Sequence, residues 1–150
     1  MTEFSHLDAR GEVRMVDVSA KPPSAREAVA RSEIHLQPST IAAIEKNEIA
    51  KGNVFATARV AGIMAAKKTG ELVPLCHPLN ITHCAVEFEI SETRDRVMIT
   101  ATTRIFAPTG VEIEALTAVT IAALTIYDMC KAVDKSMRIT DIVLVSKRKE

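Results

Sequence analysis

An α+β fold is what this sequence predicts, and three observations lead to it. Thr82–Ser91 and Arg96–Phe106 alternate apolar and polar residues with the two-residue period of strands, and Glu92-Thr93-Arg94-Asp95 joins them as a hairpin. Ala-rich stretches with capping residues at their starts read as helices on either side of that pair. The resulting order is strand, helices, strand, strand, helix, strand. That is the βαββαβ ferredoxin-like pattern, an antiparallel sheet with helices packed on one face.

Residues 1–23 read as an extended polar arm closed by Pro22-Pro23, with Val13–Ser19 a candidate short strand. Residues 26–37 carry two conflicting signals. Ser24 to Glu27 fits a capping box, which would start a helix. Yet Ala28, Ala30, Ser32, Ile34 and Leu36 alternate with Glu27, Val29, Arg31, Glu33, His35 and Gln37, and this strand period decides for a strand. Pro38-Ser39-Thr40 opens a helix through about Lys46, with Pro where its missing N–H matters least. Asn53 is suited to cap a longer helix over 54–68, ending near Gly70, and Gly62 within it points to the close approach of another backbone. Pro74 and Pro78 hold an irregular segment. In the strand after it, Cys84, Val86, Phe88 and Ile90 are expected inward. Pro108-Thr109-Gly110 is a turn, residues 112–134 are the longest predicted helix, and 139–147 the last strand. Val86, Phe88, Ile99, Ile105 and Leu144 together offer more apolar surface than a small sheet should leave exposed, which predicts a homo-oligomer.

The chain has 150 residues, a length suited to one domain over 1–150. With no Trp and one Tyr, its core has to be aliphatic. Nineteen basic and nineteen acidic residues cancel, which argues against a nucleic-acid partner while leaving room for a local cluster that binds a phosphorylated small molecule. No apolar run approaches the roughly 20 residues of a membrane span, and the N-terminus lacks the features of a signal peptide. Cys76, Cys84 and Cys130 follow no paired spacing, so reduced thiols and a cytoplasmic location are expected.

Several segments carry candidate chemistry. At about 100° per residue, Asp128, Lys131 and Lys135 fall within a roughly 60° arc of a helix that also holds Ile121 and Leu124. Such a face marks either a pocket or interface, or an ordinary i,i+3 ion pair at a solvated helix end. If buried, a carboxylate beside an ammonium can exchange protons with a substrate as their pKa values move toward neutrality. Lys51-Gly52-Asn53 precedes a helix N-terminus, where anions are favoured. Prolines pin the backbone around Leu75-Cys76-His77, which suits either an oriented side chain or a plain turn. Glu112 and Glu114 stand two apart at a helix start and point about 160° away from one another. One therefore turns inward, and a carboxylate pair in a pocket would accept from the N–H donors of a guanine-like ring. A zinc site from Cys76, His77, His83 and Cys84 is disfavoured, because neighbours in extended chain point opposite ways.

Taken together, Gly62–Thr69, Leu75-Cys76-His77-Pro78-Leu79, Thr109–Leu116 and Tyr127–Lys135 resemble the MoaC family of molybdenum-cofactor biosynthesis, and the likeness runs from about Phe4 to the final strand. The resemblance implies a cyclic pyranopterin monophosphate synthase acting after a radical-SAM enzyme. Its substrate would be 3′,8-cyclo-7,8-dihydroguanosine triphosphate and its by-product pyrophosphate. It also implies a homohexamer, a trimer of dimers, with sites shared between subunits. Asp128 then matches the catalytic position, and Lys51 and Lys131 match lysines for phosphate binding and proton transfer. Leu75, Cys76, His77, Ile113 and Glu114 match substrate contacts, Glu112 a pocket carboxylate, and Arg26 and Lys21 weaker triphosphate contacts. Neither a resident metal nor another cofactor is implied. Ile113 stands where Met is common, a volume-conserving change. Where the family continues into a glycine-rich Gly-Gly-Lys-Ser segment, this sequence reads Ser146-Lys147-Arg148-Lys149-Glu150, and weaker substrate binding is expected if that tail grips the ligand. The alternative class is a non-catalytic nucleotide-binding regulatory oligomer of the same fold.

Overall fold

The structure is a computed structural model that describes residues 4–150. Along the chain run β1 (Ser24–His35), α1 (Pro38–Glu45), α2 (Val54–Lys67), α3 (Thr69–Leu72), β2 (His83–Ile90), β3 (Arg96–Ala107), α4 (Glu112–Cys130) and β4 (Arg138–Lys149). The four strands form one antiparallel sheet in the order β2-β3-β1-β4. β3 is thus inserted between β1 and β2, the split arrangement expected from the sequence.

The conflict at β1 resolves for a physical reason. As a strand, β1 sends Ala28, Ala30, Ser32 and Ile34 to one side, each at most 1% exposed. A helix would have spread the same residues around its circumference. β1 pairs with β3 without interruption from Ser24↔Ala107 to His35↔Arg96, so the residues of the expected capping box are already in the sheet. Ser32, fully buried, donates its hydroxyl to the Val119 carbonyl at 3.0 Å and ties sheet to helix.

α4 is the centre of the core. Ala115, Ala118, Val119, Ala122, Ala123 and Ile126 are fully buried. It is long and apolar enough by length and composition to cross a membrane, contrary to expectation, but half of that stretch is buried inside the fold. α2 crosses it at Gly62, where an added Cβ would lie 3.0 Å from the Ala118 carbonyl oxygen and 3.3 Å from Val86. Asn53 caps α2 as expected, accepting from the Ala56 N–H at 2.9 Å.

Three expectations are corrected. Val13–Ser19 forms no strand; an isolated bridge joins Leu7 to Val13. Asp17 instead bends the arm by accepting from both the N–H and the hydroxyl of Ser19. Secondly, α4 stops at Cys130, not 134. The N–H groups of Val133 and Asp134 both turn back to the Cys130 carbonyl, and the Asp134 side chain goes inward. It accepts from the Gln37 N–H and the Thr40 hydroxyl, capping α1 from a distance, and from the N–H and hydroxyl of Ser136. Lys135 consequently sits on a bend outside α4, off the Asp128 face. Thirdly, Val86, Ile99 and Ile105 face the helices and are buried, with Phe88 packed on the same core. Of the five residues expected on an open sheet face, only Leu144 is exposed. Exposed apolar side chains lie elsewhere, at Val60 and Met64 on α2, Leu124 on α4 and Ile142 to Val145 on β4.

The Gly62 contact leads to a measurable outcome. Gly62→Val should force α2 and α4 apart and cost about 2 kcal/mol, read as a lowered midpoint in chemical denaturation. Wild-type stability would mean the two helices can separate freely.

Candidate active site

The candidate residues gather in two places, one at each end of α4. At the C-terminal end, Asp128 accepts from two lysines. The Lys131 ammonium donates to Oδ1 at 2.9 Å. The Lys51 ammonium, reaching from the α1–α2 connection, donates to Oδ2 at 2.9 Å and to the Asp128 carbonyl at 3.1 Å. Lys51 is therefore folded onto a carboxylate and does not stand free at a helix start. All three side chains are about half exposed. Hydrogen bonds from Lys131 and then Lys51 hold the Asp128 carboxyl down at about 2, and the same bond raises Lys131. The shift runs opposite to the convergence toward neutrality that burial would give, because these groups are hydrated and stabilise one another's charges.

At the N-terminal end lies a cavity of about 300 Å³, walled by the arm, by Leu75-Cys76-His77, and by Thr109–Glu114. Both carboxylates expected to diverge reach it. Glu114 is 3% exposed. Burial, with the neighbouring Glu112 charge, pushes its carboxyl up from 4.5. Glu112 is held by Lys147 of β4 at 3.4 Å, and its carboxylate lies against Gly110, where an added Cβ would push that flexible side chain aside. Burial and then the two glutamates raise the Cys76 thiol. His77 meets the Val16 carbonyl through Nε2 at 2.5 Å. Lys21 lines the same cavity.

Arg26 is placed differently. It lines a second cavity with Glu27, Arg104, Phe106 and Arg148, and reaches back only to donate to the Pro108 carbonyl at 3.2 Å. The four residues weighed for zinc do not converge. His83 and Cys84 occupy opposite faces of β2, with Cys84 against the core, and His77 is engaged by Val16. All three cysteines are free.

Sequence reading missed Lys147, Val16 and Asp134. Val16 acts through its backbone, which leaves no side-chain signal. Lys147 is one of several basic residues on an edge strand. Asp134 had a signal: a carboxylate two residues before Ser136 suits a local turn.

Between the two clusters lies nearly the whole of α4. At 1.5 Å per residue, Glu112 and Asp128 are about 24 Å apart.

Fold and clefts together define an α+β protein of the ferredoxin-like class, with ionisable groups collected at both ends of its core helix. Residues 15–150 match the MoaC family, and the chain belongs to it. It is 58% identical to the cyclic pyranopterin monophosphate synthase of Chloroflexus aurantiacus, over 97% of this chain and 90% of that one. Similar proteins of the same name occur in Pelotomaculum thermopropionicum, at 56% identity over 98% and 86% of the two chains, and in Roseiflexus castenholzii, at 52% over 98% and 93%.

Two outcomes follow from the opposed electrostatics. In Lys131→Ala the Asp128 carboxyl should rise from about 2 toward 3.8, observed by carbon NMR titration; an unmoved value would mean the ion pair is absent in solution. Glu114 behaves in the reverse sense. Its folded value lies above 4.5, so its contribution to stability is fully present below that pH and is lost as pH rises through the raised value. Glu114→Gln should therefore be more stable than wild type at pH 7, with the advantage shrinking as pH falls through the raised value and gone by about pH 4.5. Denaturation midpoints across pH check this, and a pH-independent difference would contradict it.

Proposed function

We propose that this chain is a cyclic pyranopterin monophosphate synthase, converting 3′,8-cyclo-7,8-dihydroguanosine triphosphate to cyclic pyranopterin monophosphate with release of pyrophosphate. The names of its relatives over nearly the whole chain support the activity. The observation that carries the mechanism is the split of the expected site residues between the two ends of α4. A nucleotide triphosphate is too short to bind at both ends of one helix about 24 Å long. The site is therefore completed by two copies of the chain, the His77 end of one against the Asp128 end of another. Exposed Val60, Met64 and Leu124 supply apolar surface for such contacts. The assembly is a homohexamer, a trimer of dimers.

The residue types suit each step. Glu112 and Glu114 accept from the N–H groups of the guanine-derived ring. Opening that base and closing the pterin need protons moved at fixed points, which His77 provides, joined by Asp128 and Lys131 once a second copy buries that pair and brings their proton affinities together. Lys51 and Lys131 are exposed enough to exchange Asp128 for phosphate oxygens, and they stabilise the charge that develops as pyrophosphate leaves. Lys21 supports the triphosphate. Arg26, held away from this cavity, is reassigned to bracing the turn at Pro108. A radical-SAM enzyme supplies the substrate, and the free thiols suit a cytoplasmic setting.

Asp128→Ala and His77→Ala should each lose at least about a hundredfold in turnover while still assembling. Co-assembled, the two inactive chains should recover about a quarter of wild-type turnover, because about half the pairs are mixed and each has one intact site of two. No recovery would overturn the composite site. Tight binding of the cyclic triphosphate by the wild-type protein with no pyrophosphate released would make it a nucleotide-binding regulator instead.

A further inference from the structure

We infer that the N-terminal arm sets the tautomer of His77: the Val16 carbonyl holds the ring proton on Nε2 and leaves Nδ1 as the nitrogen that meets the ligand. The inference begins from one contact. His77 Nε2 lies 2.5 Å from the Val16 carbonyl oxygen. A carbonyl oxygen has no proton to give, so the ring nitrogen must be the donor. In a neutral imidazole the other nitrogen then carries the lone pair.

The arm is built to present that carbonyl. Had Val13–Ser19 formed the expected strand, the Val16 oxygen would have been a candidate for a ladder bond. As it stands, no backbone N–H among the described residues donates to it. The bend immediately after it is fixed by the Asp17 carboxylate, which takes the Ser19 N–H and hydroxyl. The stretch before it is fixed by the Arg14 N–H donating to the His6 carbonyl at 2.7 Å. Val16 thus sits between two pinned points, and His77 sits in the segment that Pro74 and Pro78 stiffen.

The arrangement has a chemical consequence. A ring that donates from Nε2 can accept a proton at Nδ1 and keep its bond to Val16, because imidazolium donates from both nitrogens. His77 can then gain and return a proton without swinging. The other ionisable groups lining this cavity are His6, whose ring meets the Arg14 carbonyl, Lys21, Cys76, Glu112 and Glu114. Val16 is a positioning residue, acting through His77. The tautomer stands on geometry alone, whereas the identity of what meets Nδ1 rests on the synthase reading above.

Long-range proton–nitrogen NMR on the full-length protein labelled at histidine, without ligand and at a pH where the rings are neutral, tests the tautomer directly. The expected spectrum has His77 Nδ1 in the range of a nitrogen without hydrogen and Nε2 in that of a protonated one. The reverse assignment, or an even mixture, overturns the inference whatever the protein's activity. Asp17→Ala, which releases the bend, should move His77 toward the mixture; an unchanged spectrum would show that the arm does not set it. Turnover adds a second arm. His77→Asn keeps an acceptor at the Nδ1 position and should hold KM within about threefold while kcat falls, whereas His77→Gln keeps only a donor toward Val16 and should raise KM about tenfold, roughly one hydrogen bond's worth. A KM raised as much in the Asn variant as in the Gln variant would overturn the role of Nδ1. Loss of the synthase reaction in the wild-type protein would sink the functional reading and leave the NMR result standing.

Discussion

Burial of the small-residue face of α4 is the constraint on which the other features depend. Alanines at 115, 118, 122 and 123 let the sheet and α2 approach the helix backbone, and Gly62 brings α2 close enough that its own missing Cβ is needed. A helix packed on so many sides cannot slide or turn without breaking contacts throughout the core. Its two ends are therefore fixed in space. The groups they carry, Glu112 and Glu114 at one and Asp128 with Lys131 at the other, inherit that rigidity. The buried Asp134 adds to it by tying the end of α4 to the start of α1.

The two ends differ in how they treat charge. At the C-terminal end a carboxylate shares two ammonium groups in water, and its proton affinity is depressed. At the N-terminal end a carboxyl is buried beside another carboxylate, and its affinity is raised. The first arrangement is stable as it stands, each charge compensated by its neighbours. The second opposes ionisation and is relieved by a donor-rich partner. In the composite site proposed above, a ligand with phosphates at one end and ring N–H groups at the other would meet one demand on each of two copies.

Much of this was legible in the residues. Period-two alternation from Ala28 to Leu36 outweighed a local capping signal because alternation reports burial over a whole element, whereas a cap reports one turn. Asn53 was readable because its cap is made within one turn, and Gly62 because a glycine inside a helix costs stability unless another backbone needs the space. Alternation along β2 correctly turned Val86 and Phe88 inward, but the open face was misjudged at Ile99 and Ile105, since alternation separates two faces without saying which one the helices cover. The end of α4 was overrun because its stop is written at Gln37 and Thr40, nearly a hundred positions away. Among the site residues, grouping by sequence worked within each end of α4, where neighbours in sequence are neighbours in space. Arg26 lies on interior strand β1 and faces a different cavity, where its guanidinium donates to the Pro108 carbonyl.

The arm shows why a failed strand matters. A segment with the composition of a strand but no ladder leaves the Val16 carbonyl open, and the His77 imidazole takes it. The same backbone oxygen in a sheet would have been saturated by a ladder N–H, leaving His77 to choose its own tautomer. Irregularity at residues 14–19 is thus what couples the arm to the cavity. It also makes the cavity a property of the fold from the arm to β4, since Val16, His77, Glu112 and Lys147 come together only when the arm, the proline-bounded segment, the core helix and the last strand are all in place.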